Sequence, residues 1–115
     1  MEILVVVPAE LAHDVASGGG VRVRGYRSTE EILGALGAPA DAVVLVSDLV
    51  PAEDLAIVAS AVRQDGRPAI EVRSAGWDGE TQSPLSGVCR GVISGFGLDG
   101  VAAAVALLRR ERGSA

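Results

Sequence analysis

The sequence predicts a doubly wound α/β domain with a five-stranded parallel sheet in the order 2-1-3-4-5. Three observations predict it. Short apolar runs alternate with helix-period patterns along the whole chain, which is the signature of consecutive βαβ units. Residues 3–7 and Ala42–Val46 are apolar without interruption, so the sheet they belong to is covered on both faces. The chain has 115 residues, 49% of them hydrophobic, enough for one core and one domain but not for two. That domain is expected to occupy residues 1–112, with 113–115 a tail or the start of a linker.

Each element has a local reason. Residues 3–7 form the first strand, and residues 8–16 a short helix closed by Gly18, Gly19 and Gly20. Residues 21–24 form the second strand. Ser28-Thr29-Glu30-Glu31 is a capping box, in which the serine hydroxyl takes a free backbone N–H and Glu31 reaches back to the cap. The helix it opens is predicted to bury Ile32, Leu33 and Leu36 and to stop at Gly37. Ala42–Val46 is the third strand. After Pro51, Leu55, Val58, Ala59 and Val62 fall on one helical face. Residues 69–72 and Gly91–Ser94 supply the fourth and fifth strands. A last helix, about residues 98–112, buries Val101, Val105 and Leu108 and ends on arginines that suit its negative pole. Between the fourth and fifth strands, Gly76, Gly79, Pro84 and Gly87 are too many breakers for a full helix, so that crossover is predicted to be short or irregular.

Composition narrows the chemistry. All ten basic residues are arginine, so no mechanism can use a lysine. A net charge of −5 argues against direct nucleic-acid binding. The single Cys89 cannot form an internal disulfide and fits the cytoplasm. No apolar run has the length of a membrane span, and the opening residues lack the basic region of a signal peptide. His13 is the only histidine, which rules out a His-based triad or metal site.

In open α/β sheets, sites lie outside the carboxyl ends of the strands. Five short βα units, Pro51 past the third strand and Ser94-Gly95-Phe96 after the fifth resemble the receiver domain of response regulators, over nearly the whole chain. By that resemblance, the acidic pair that holds Mg²⁺ falls on Val7 and Pro8. The phosphoryl-accepting aspartate falls on Ser47; Asp48 is one place off, and in a strand that shift reverses its face. The receiver Thr/Ser matches Ser74, the lysine matches Ser94 and the switch aromatic matches Gly91. Ser47, Asp48, Ser74 and Ser94 are thus a degenerate phosphoacceptor region. Nothing at Val7 and Pro8 offers the oxygen ligands Mg²⁺ needs, and no lysine neutralises a transferring phosphoryl group.

The resemblance implies a non-catalytic, phosphorylation-independent signalling module without a cofactor. Its expected place is the N-terminal regulatory half of an atypical response regulator in transcriptional control. The expected partners are a second copy, a protein partner or a linked output domain. The alternatives are the receiver-like targeting domain of a ParA/MinD-type ATPase and a flavodoxin-like nucleotide- or small-molecule-binding domain. For the last, Gly95, Gly97 and Gly100 form a G-x-G-x-x-G turn ahead of a helix, where an anion could bind, although no acidic residue follows at the ribose-binding distance. Trp77, in the Gly-rich crossover, either folds back over the core or is presented to a partner. Ala102, Ala103, Ala106 and Leu107 on the last helix are the expected dimer interface.

Overall fold

Five parallel strands form one sheet in the order β2-β1-β3-β4-β5: β1 Ile3–Pro8, β2 Val21–Tyr26, β3 Ala42–Val46, β4 Ala69–Arg73 and β5 Gly91–Ser94. The predicted fold class and strand order are observed. The computed structural model describes residues 1–73 and 88–113. The expected short fourth crossover with its Gly76, Gly79, Pro84 and Gly87, together with Ser74 and Trp77, lies outside the described residues.

Alternation along the strands builds two cores. Leu4, Val6, Val43, Leu45 and Ala69 face one side, where they meet Ile32 and Leu36, and Val58, Ala59 and Val62. These come from α1 (Thr29–Ala35), its C-cap and α2 (Leu55–Asp65). Ile3, Val5, Val7, Val44, Ile70 and Val72 face the other side, against Val101, Ala104, Val105 and Leu108 of α3 (Asp99–Gly113). Strands apolar on both faces need cover on both faces, and the two helical layers provide it.

Three local details differ from expectation. The first crossover is a six-residue 3-10 helix, Ala9–Asp14, with no buried residue. Gly25 explains its closeness to the sheet, since a Cβ there would stand 3.0 Å from the Cα of Ala9. Leu33 is exposed, because it sits on the outer side of α1 next to the buried Ile32. The capping box is only half as drawn: Ser28 Oγ accepts from the Glu31 N–H at 3.2 Å, but Glu31 Oε1 accepts from the Arg27 N–H at 3.0 Å, one residue before the cap.

Candidate active site at the carboxyl edge of the sheet

Glu71 is the anomaly of the core. It lies in the middle of β4 between Ile70 and Val72 and is 0% exposed. A carboxylate buried in a sheet covered on both faces needs partners, because leaving water is costly. It has two. Ser47 Oγ donates to Glu71 Oε2 at 2.6 Å, and Arg73 Nε donates to the same oxygen at 3.1 Å. Strand geometry permits this: residues 71 and 73 share a face at spacing i, i+2. Ser47 follows β3, which pairs with β4 through Val46 and Val72, and its N–H donates to the Val72 carbonyl. Glu71 Oε1 has no hydrogen-bond partner, alone among buried side-chain oxygens and nitrogens of the described residues. An orphaned buried oxygen of this kind is a cost that sequences tolerate mainly where function requires it.

The loop between β3 and α2 is held firmly beside this cluster. Tyr26, at the end of β2, is buried and donates to the Val46 carbonyl at 2.6 Å, while the Leu49 N–H reaches its hydroxyl at 3.4 Å. Burial pushes the Tyr26 phenol up to about 12; the Leu49 N–H lowers it by less than burial raises it, and the negative charge of Asp48 adds a still smaller rise. Thr29 Oγ1 donates to Asp54 at 2.6 Å and ties the start of α1 to the start of α2. The Cys89 thiol, packed against the core that holds α1 and α2, is pushed up to about 12, first by burial and then by the charge of Glu71. The thiol is therefore protonated and inert at neutral pH.

Of the residues singled out in the sequence, the structure brings two to this edge. Ser47 is buried and bound to Glu71; Ser94 ends β5 opposite Arg73. Asp48 is exposed on the loop that Tyr26 supports. The Gly95–Gly100 turn has an account in packing. Gly95 and Gly97 take positive φ (84° and 56°), and a Cβ on Gly100 would meet Val72 Cγ1 at 3.0 Å and Ile93 Cγ2 at 3.3 Å. Ala102, Ala103, Ala106 and Leu107 are all exposed on α3. His13 is on the surface.

Glu71 and Arg73 were missed. The signal was present, since an acid inside Ala-Ile-Glu-Val-Arg, in a sheet covered on both faces, has no solvent to face. Among the described residues, no three His, Cys, Asp or Glu side chains come together as a metal site.

No family profile and no curated protein matches this sequence. Solved structures do match its fold. The type II dehydroquinase from Propionibacterium acnes superposes with a TM-score of 0.67 at 23% identity, over 93% of this chain and 96% of that one. The type II dehydroquinase from Butyrivibrio crossotus DSM 2876 gives 0.63 at 20% identity, over 95% and 97%. A 3-dehydroquinate dehydratase-like protein from Bifidobacterium longum gives 0.50 at 23% identity, over 93% and 96%.

These neighbours correct the receiver assignment. The strand order 2-1-3-4-5 is common to flavodoxin-like folds and hosts unrelated functions, so frame and spacing alone did not identify a receiver. The role as a response-regulator module in two-component transcriptional control rested on that frame and falls with it. So does the non-catalytic reading, since the neighbours are named as dehydroquinases. The ParA/MinD-type and flavodoxin-like alternatives are likewise unsupported. Ser47 also has a physical reason not to be a vestigial phosphoacceptor: its hydroxyl is committed to the carboxylate of Glu71.

Proposed function

We propose that the chain is an enzyme of the dehydroquinase fold that eliminates water from a hydroxylated carboxylate of the 3-dehydroquinate type. The observation that carries this is the Ser47–Glu71–Arg73 cluster, a buried carboxylate whose serine and partly buried arginine partners lie at the carboxyl ends of β3 and β4, where an open α/β sheet places its ligands. The reaction is redox-neutral. A C–H bond next to a carbonyl breaks and its proton goes to a base. The electron pair forms a C=C bond, and the C–O bond of the β-hydroxyl breaks, its oxygen leaving as water after gaining a proton.

Three roles fit the chain's residues. Arg73 holds a fixed positive charge at the edge, suited to the substrate carboxylate. Glu71 is a positioning residue that orients Arg73 and Ser47 from below. Asp48, exposed on the loop that follows Ser47, is the candidate proton acceptor. The half-buried Cys89 supports a reducing, cytoplasmic setting. Among the described residues, no helix is long and apolar enough to cross a membrane. A homodimer belongs to this proposal as well.

Incubation with 3-dehydroquinate should produce the ultraviolet absorbance of a conjugated enone. Asp48→Asn should remove turnover while retaining a ligand-induced thermal shift, and Arg73→Met should remove both. Absence of turnover and of any thermal shift in the unmodified protein would overturn the reading.

A further inference from the structure

We propose that two copies of this chain pair their α3 helices antiparallel across a two-fold axis, each helix lying in a groove of the other copy. The groove exists because the first crossover is only a short 3-10 helix. A full helix there would cover the sheet beside α3; instead a trough of about 460 Å³ lies between α3 and the connection into β2. Val15, Val21, Ala102 and Ala106 give it an apolar floor and wall, and Asp99 and Arg109 are its charged residues on α3.

The order of residues along α3 selects the occupant. Asp99, Ala102, Ala106, Arg109 and Gly113 repeat at alternating intervals of three and four residues, the spacing of a helix-pairing seam. The first four line the trough. Antiparallel packing about a two-fold places Ala102 against Ala106 of the second copy and Asp99 against its Arg109, twice over. Alanines at the centre let the axes approach to about 8 Å, the close limit for packed helices. A parallel pair would instead set Asp99 against Asp99 and Arg109 against Arg109. The charges therefore choose the antiparallel orientation, which also opposes the two helix dipoles favourably.

Asp99 and Arg109 are exposed, about 15 Å apart along the helix by its rise per residue, and Asp14 on the facing connection is the trough's third charged residue. Arg109 is additionally anchored by donating to the Gly19 carbonyl, which holds its guanidinium beside the trough. Closed two-fold contacts are the commonest way a chain buries a self-complementary surface. The seam uses Ala102 and Ala106 but turns Ala103 and Leu107 away from its centre, so it is narrower than the interface expected from the sequence. It is also independent of the dehydration chemistry, which resides at the strand ends.

Sedimentation velocity at tens of micromolar tests the pairing. The unmodified protein should form a dimer or a larger assembly built from dimers. Asp99→Arg and Arg109→Asp should each weaken pairing by about tenfold, the sum of two symmetry-related exposed ion pairs. The double variant Asp99→Arg/Arg109→Asp should restore it, since both pairs are then reversed together. Ala106→Glu, at an exposed position remote from the core, should abolish pairing while circular dichroism and the urea midpoint confirm a folded chain. A monomeric unmodified protein, an assembly indifferent to these changes, or a double variant that fails to recover would each overturn the proposal.

Discussion

Glu71 ties Ser47 and Arg73 together, and its burial sets the cost of altering it. Its Oε2 carries Ser47 and Arg73, while Oε1 has no partner. Removing Arg73 leaves a buried carboxylate with one neutral donor. We expect Arg73→Met to lower stability by about 3 kcal/mol, typical for breaking a buried pair from one side, whereas Glu71→Gln should cost less than about half of that. Urea denaturation of both variants checks the order; equal or reversed costs would contradict the assigned network. Tyr26 offers a second test. Its folded pKa is raised from 10.0 to about 12, so the folded state holds the proton longer than the unfolded chain does. The stabilisation is intact below about pH 10 and is lost as pH rises through about 12. Cys89, raised from 9.0 to about 12, acts in the same direction from about pH 9 upward. Because Tyr26 is the only tyrosine, phenolate absorbance follows it alone, and a native midpoint near 10 would contradict its burial. Ser47 was legible in the sequence as a strand-end residue. Its partner was not, because residue 71 sits within an apolar run whose burial only the assembled sheet reveals.

At the scale of elements, one arginine fastens the connections around α1. Arg67 donates to both carboxylate oxygens of Asp65, at 2.7 and 2.8 Å, and to the carbonyls of Leu36, Ala38 and Ala40. Those carbonyls lie at and just beyond the end of α1, where no helical N–H can reach them. Lysine carries the charge but not the planar fork. Arg67→Lys should therefore cost about 2 kcal/mol, the penalty of leaving one or two such acceptors unpaired. A thermal midpoint unchanged from the parent would contradict this clamp. Gly100 tests the other helical layer. An added Cβ must push Val72 and Ile93 aside, so Gly100→Ala should destabilise by about 1–3 kcal/mol through overpacking, despite alanine's better helix propensity. A stabilised variant would contradict the close packing of α3 on the sheet. Helix and strand periods made most elements legible, including β3, β5 and the buried face of α2. The first crossover is shorter than the helix expected over residues 8–16, and the close approach of Gly25 to Ala9 is a tertiary contact that no local pattern displays.

For the whole molecule, pattern and physics led to the same architecture. Continuous apolar strands, helix-period crossovers and right-handed connections leave few topologies, and the observed order is the predicted one. Function was not legible in the same way. Strand order is shared by unrelated proteins, and a frame that counted residues from Pro51 aligned Ser47 with a phosphoacceptor while ignoring what its hydroxyl touches. We propose that the edge built by Ser47, Glu71 and Arg73 works on a hydroxylated carboxylate. The most direct measurement is enone absorbance with 3-dehydroquinate, run in parallel on the unmodified protein and on Arg73→Met. Turnover is expected from the first and none from the second. A protein inert towards this substrate, or an Arg73→Met variant as active as its parent, would contradict it.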